Sequence, residues 1–297
     1  MPDPVRVVLF DDGRGRLAPL TDLRAPHDVR TGALTLRERV EHTPGAALAG
    51  LLPRPELAGL DSDEDRELRA GFDRLPGDAE VVLLNGRCPL PPTGLLAADG
   101  AHGAVWYEQE SGDLVAARCR RGDVDRVLAG DAAADNAVTL PGHALLRTAI
   151  DWRRFRDACL DADLALLVES VRAAGAEPKL PGAVAFGSHP VAVHPDARVY
   201  PSVVLNAEDG PIVIDRGATI RPNAILIGPA YIGPGSTVLE QALVKAHTAI
   251  GPVCKVAGEV GGTIFQGYAN KAHHGHLGDS WVGEWVNFGA GTTNSNL

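Results

Sequence analysis

Cysteine is scarce in this chain. The four cysteines, Cys88, Cys119, Cys159 and Cys254, are scattered and form no C-x-x-C pair. That spacing excludes a disulfide framework and a cysteine-ligated zinc site, and it predicts buried thiols in a reducing compartment. Basic side chains are outnumbered, with 28 Lys and Arg against 38 Asp and Glu and a net charge of −10. Such a balance argues against general affinity for nucleic acid. There is no apolar run of about 18 residues, so no membrane-spanning helix is expected. Residues Met1 to Phe10 lack the long apolar region of a signal peptide, which places the protein in the cytoplasm as an expectation. The 297 residues are enough for about two domains on a prior of roughly 150 residues each.

What the chain does contain is a period of six. Ile214, Ile220, Leu226, Ile232, Val238, Val244, Ile250 and Val256 fall in one register without a miss. Strands alternate with period two and helices with period 3.6, so neither accounts for it. A short strand followed by a corner does. Asp215, Gly233, Gly251, Pro222, Pro234 and Pro252 follow the aliphatic positions as corner residues, and small residues recur at Ala218, Ala224, Ser236, Ala242 and Cys254. The pattern predicts an all-β parallel β-helix built from hexapeptide repeats. A β-sandwich with short strands is the alternative, but its strands do not hold one register for so long. Upstream, Val193, Val199 and Leu205 keep the spacing, and Asn206 to Pro211 insert three extra residues. Downstream, the register is expected to slip by two, resume at Ile264 and reach Val282 and Phe288. The glycine- and histidine-rich stretch Gly258 to His276 is then expected to be a loop on one face.

The first half mixes strands and helices. VRVVLF at 5–10 and VVLLN at 81–85 predict buried strands, LTLRERVEH at 34–42 an amphipathic helix, and the charged residues 61–70 a solvated helix face or loop. AVWYE and LVAARC around Ser111, Gly112 and Asp113 predict a hairpin. This order suggests an α/β domain over 1–150, a helical connector and linker over 151–187, and the β-helix over 188–297. The loop DDGRGRLAPLT after the first strand is either a phosphate cradle, with Arg14 and Arg16 adding charge, or a plain turn. The chain stops at Leu297, inside a repeat and with no cap, as expected of a truncated solenoid.

The tail carries His273, Leu277, Gly278, Asp279, Val282, Gly283, Asn287, Gly289, Ala290, Gly291, Thr292 and Asn296. This spacing resembles the acetyltransferase half of the GlmU family of bifunctional bacterial enzymes. The start, with Phe10-Asp11-Asp12, Pro19-Leu20-Thr21 and the stretch Gly32 to Arg39, is similar to GlmU-like sugar nucleotidyltransferases. The resemblance implies a Rossmann-like α/β nucleotidyltransferase-like domain, a left-handed hand for the β-helix, and a homotrimer with coenzyme A bound between subunits. It implies a transferase using acetyl-CoA, whose other substrate is a sugar phosphate or nucleotide sugar.

Under the resemblance, His273 takes the place of the catalytic base and Asn296 that of a catalytic-site asparagine. Lys271, His276 and Asn287 match substrate-binding positions. Histidine suits proton removal near neutral pH. Zinc held by His273, His274 and His276 is disfavoured, because neighbours in an extended chain point apart. The family's phosphate-binding arginine and first lysine align with Leu243 and Gly261, leaving Lys245 or Lys255 to compensate. In the first half the usual A-A-G loop is replaced by Asp11-Asp12-Gly13, and Arg87 stands where a magnesium-holding Asp is expected. Arginine cannot ligate a cation, so magnesium is left open; Arg87 and Arg24 are instead candidate phosphate contacts.

Overall fold

The computed structural model describes residues 3–97, 100, 102–131, 136–175 and 180–294. Contacts gather into two compact units. One is Met1–Val29 with Thr35–Trp152; the other is Arg30–Leu34 with Arg153–Leu297.

The first unit is a six-stranded mixed sheet in the order β2-β1-β3-β5-β4-β6. Its strands are β1 (Val5–Phe10), β2 (Ala46–Leu52), β3 (Glu80–Asn85), β4 (Val105–Glu108), β5 (Leu114–Arg120) and β6 (Ala137–Leu140). β1 lies parallel to β2 and β3, while β5 runs antiparallel to both β3 and β4. The continuous apolar run of β1 reflects burial on both faces. Val7 and Leu9 pack with Leu36 and Val40 of α1 (Leu36–His42), and Val8 and Phe10 pack with Phe72 of α2 (Asp63–Asp73) and Val124 of α3 (Val124–Leu128). A capping box fixes where α1 begins: the Glu38 N–H donates to Thr35 Oγ1 at 3.2 Å, and the Thr35 N–H donates to Glu38 Oε2 at 2.7 Å.

The second unit is the β-helix. Its strands form three all-parallel sheets of 6, 6 and 5 strands, and successive strands go to successive sheets. Ile214 pairs with Ile232 and Ile232 with Ile250, so one coil closes every three hexads. All eight hexad residues from Ile214 to Val256 are fully buried, as are the small residues between them. Corner glycines permit the coils to approach: a Cβ on Gly251 would meet the Phe265 and Gln266 carbonyl oxygens at 2.5 Å.

Two expectations are corrected in the downstream coil. Ile250 pairs with Phe265, so the inward column runs through Val260 and Phe265 rather than resuming at Ile264. The stretch from Gly258 to His276 is not an inserted loop; it contains strands Glu259–Gly261, Ile264–Phe265 and Asn270–Lys271 and belongs to the solenoid. The register survives because the coil is shortened. At the other end, Val184–Phe186 already pairs with Val204–Asn206, ahead of the expected start at residue 188.

Helix α4 (Trp152–Ala173) docks on the coils within this unit. Arg156 Nη1 donates to Gly262 O at 2.7 Å and to Asp279 Oδ1 at 2.6 Å, and Arg153 Nη2 donates to Asp279 Oδ2 at 3.0 Å. Gly32 lies so close to α4 that a Cβ there would be 2.5 Å from Asp163 Oδ2 and 2.8 Å from the Leu160 nitrogen.

Candidate functional site

Two places gather chemistry, one in each unit. In the second unit it is the corner between the Asn270–Lys271 and His276–Gly278 strands. Val256 pairs with Lys271, so Lys271 points into the aliphatic column and is 2 % exposed. Its Nζ donates to the carbonyls of Ala257 at 2.8 Å, His273 at 3.0 Å and Gly275 at 2.8 Å. An ammonium has three donors, and all three are used here. Lys271 is therefore spent on the chain itself, which corrects its expected role as a phosphate contact. Burial pushes its ammonium below the ordinary lysine value. What the three bonds accomplish is to hold the turn that carries His273, with His273 and His274 exposed at the tip.

One side of this turn is the outer row of the strands at Lys255, Asn270 and Asn287; Lys255 pairs with Asn270, and Asn270 Nδ2 donates to Asn287 Oδ1 at 2.8 Å. On the other side Glu259 pairs in register with His276, and His276 Nδ1 lies 3.3 Å from Glu259 Oε1. Lys245 also pairs with Glu259. The hydrogen bond and charge of Lys245, with the nearby His276, hold the Glu259 carboxyl below its ordinary range. The corner thus offers three imidazoles: His273 and His274 at the exposed tip, and His276 oriented by a carboxylate. Asn296 lies outside the described residues. Asp279, a motif residue, anchors α4 through Arg153 and Arg156.

Lys271→Met should fit the aliphatic column but strip three carbonyls of a donor. The expected cost is about 1–3 kcal/mol, the scale of an unsatisfied buried polar group. Denaturant unfolding reads this as a lower midpoint, and hydrogen exchange as faster exchange at residues 272–276. An unchanged midpoint and unchanged protection would contradict the role given to the ammonium.

In the first unit, chemistry gathers where β1, β2 and β3 end. Asp11 and Asp12 follow β1, and Arg87 follows β3. Antiparallel pairing of β3 with β5 brings Asp113, just before β5, to the same edge. Arg87 is 1 % exposed. Its Nε donates to Asp12 Oδ1 at 2.9 Å, and its Nη2 donates to Asp12 Oδ2 and Asp113 Oδ2, both at 2.6 Å. Nη1 donates to Leu146 O at 3.0 Å. Arg14 pairs with Asp113 and Arg54 with Asp11. Asp11, Asp12 and Arg14, with Tyr107 and Leu128, line a cavity of about 420 Å³.

The arginines expected to bind phosphate thus separate. Arg87 is buried in ion pairs, and Arg14 is exposed but tied to Asp113. Arg16 is an exposed residue whose backbone is pinned by an N–H donated to Arg147 O at 2.7 Å. Arg24 lines a different cavity with Asp28 and Asp61. Asp12, Asp113 and Glu259 carry the two clusters; the sequence marks Asp12 only as a motif residue and Asp113 only as a hairpin residue, and gives no sign of Glu259. Counting hexads from Phe265 instead of Ile264 lands on Lys271 and then Leu277, a signal that would have revealed the buried lysine.

Two solved structures of the acetyltransferase domain of PglB from Neisseria gonorrhoeae FA1090, one in complex with acetyl coenzyme A, align over 98% and 96% of this chain and 91% and 95% of theirs. Identity is 13% in both, and TM-scores of 0.26 and 0.24 are too low to carry fold or function. The bifunctional protein GlmU of Jannaschia sp. (strain CCS1) is 29% identical over 251 residues, 80% of this chain and 50% of its own length. The chain therefore spans about half the length of this curated relative. The model of the family described as sugar nucleotidyl transferase matches residues 7–171, more than half of the sequence. With most of β1, all of β2 to β6 and most of α4 inside that match, the chain belongs to the sugar nucleotidyl transferase family.

Proposed function

We propose that the second unit transfers an acyl group from acetyl-CoA to the amine of an amino-sugar phosphate or a nucleotide-linked amino sugar, with His273 as the base. The amine nitrogen attacks the thioester carbonyl. A C–N bond forms as the C–S bond breaks, the amine proton passes to the imidazole, and the departing thiolate takes up a proton. One observation carries this reading: the Lys271 ammonium fixes the His273 turn from inside the coil, leaving His273 exposed between the Asn270–Asn287 row and the Glu259–His276 pair. A positioned imidazole on a held turn is what proton removal during attack requires. Asn287 serves as a substrate contact and Lys255, exposed on the same row, as the phosphate contact in place of Lys271. His276, oriented by Glu259, is the second candidate for the base.

The reading brings with it a homotrimer and a cytoplasmic setting. All four cysteines are buried, in keeping with a reducing compartment. Among the described residues, no helix is long and apolar enough to cross a membrane.

The test is thiol release from acetyl-CoA by the full chain, with a panel of amino-sugar phosphates and nucleotide amino sugars. The expected result is thiol production that requires one member of the panel. Production with none of them would favour a non-catalytic ligand-binding role. A second reading, sugar-1-phosphate nucleotidyl transfer by the first unit, is favoured by the family match over residues 7–171. Pyrophosphate release from nucleoside triphosphates and sugar-1-phosphates tests it; robust magnesium-dependent release would support it, and the ion pairs of Arg87 lead us to expect little.

A further inference from the structure

Nucleotidyl transfer leans on a divalent metal to neutralise phosphate charge. The residues of the first unit do not fit one. Magnesium takes oxygen ligands in near-octahedral array at about 2.0–2.1 Å. Here the oxygens that face one another already accept hydrogen bonds from nitrogen. Asp12 Oδ1 accepts from Arg87 Nε at 2.9 Å and from the Arg14 N–H at 3.0 Å; Oδ2 accepts from Arg87 Nη2 at 2.6 Å and from Asn85 Nδ2 at 2.9 Å. Among the described residues, no three His, Cys, Asp or Glu side chains converge as metal ligands.

We propose that the Arg87 guanidinium is a built-in cation, seated between Asp12 and Asp113 where a divalent metal would otherwise be held, so that the first unit keeps this cluster neutral without metal. Nη2 touches both carboxylates at 2.6 Å, and the two-pronged contact to Asp12 fixes the plane of the group. Leu146 O holds it from a third side at 3.0 Å, and the Arg87 N–H donates to Asn85 Oδ1 at 2.9 Å, fixing the backbone from which the side chain reaches in. Asp11 and Arg54, and Asp113 and Arg14, pair off the remaining charge. Burial acts to raise the Asp12 pKa, but the hydrogen bonds and charge of Arg87 outweigh it and hold the carboxyl below its ordinary range. A guanidinium is not titrated at any physiological pH, so this cation is permanent.

Binding of manganese to the full chain, followed by electron paramagnetic resonance beside thermal unfolding, tests the proposal. Wild-type protein should leave the free-manganese signal unchanged and keep its midpoint with or without EDTA. Arg87→Ala leaves two carboxylates facing each other. Its midpoint should fall by several degrees and recover in millimolar manganese or methylguanidinium, while Arg87→Lys keeps most of the stability. Should Arg87→Ala fail to fold, the wild-type manganese measurement and Arg87→Lys still decide. One manganese per wild-type chain, lost in Asp113→Asn, would overturn the proposal. So would an Arg87→Ala variant as stable as wild type, one restored by neither cation, or an Arg87→Lys variant as damaged as Arg87→Ala.

Discussion

Replacing His273 by Ala is expected to lower acyl-transfer turnover by roughly 10²–10⁴-fold, the usual contribution of a positioned base. The Michaelis constant should change little, because the imidazole acts mainly in the transition state. The main-chain oxygen of His273, which accepts from Lys271 at 3.0 Å, stays in place in the variant. The turn should therefore keep its form, and the loss can be read as lost chemistry. His274→Ala should do much less, since only His273 falls in step with Leu277-Gly278-Asp279. His276→Ala separates the two candidate imidazoles. If it costs the larger factor, the Glu259-oriented ring is the base, and His273 is a contact at the tip. If neither substitution changes turnover, the base is assigned to the wrong corner of the coil.

The second large effect concerns the scaffold. Ile232→Asp should cost several kcal/mol, on the order of burying an unpaired charge, and unfold the β-helix. Ile232 is fully buried and pairs with Ile214 above and Ile250 below, so a carboxylate there has aliphatic neighbours on both coils. Ile225→Asp is the control. It lies outside the inward column, is 39 % exposed, and should change stability little. Circular dichroism during heating distinguishes the two. A melting curve for Ile232→Asp that overlays wild type would contradict the assignment of the hexad residues to the core.

The repeat was legible because one constraint acts at every coil. An inward position in a narrow solenoid selects apolar side chains, so Ile214 to Val256 show the fold in their spacing. Legibility failed where that constraint is broken by a group whose cost is met elsewhere. Lys271 occupies an inward position because three carbonyls replace the water it lost, and nothing in its neighbours along the chain reveals those carbonyls. Shortening of the coil before Phe265 hid the register in the same region.

The first unit shows the same limit. Asp113 reads as a hairpin residue, and Arg87 as a candidate phosphate contact. Pairing between β3 and β5 brings them together across distant positions in the chain, and their ion pairs depend on that topology. The stretch from Gly32 to Arg39 reads as a family mark, whereas each of its residues has a local task. Gly32 permits close packing on α4, Thr35 and Glu38 cap α1, and Arg39 donates to Pro89 O at 2.8 Å.

The most direct measurement is transfer of an isotopically labelled acetyl group. The full chain is incubated with labelled acetyl-CoA and the amino-sugar panel, with His273→Ala in parallel, and products are read by mass spectrometry. The predicted result is one panel member made heavier by the labelled acetyl group in wild type, with its rate of appearance greatly reduced in His273→Ala. A labelled product formed equally fast by both proteins, or no labelled product from any amino sugar, would contradict acyl transfer at this corner.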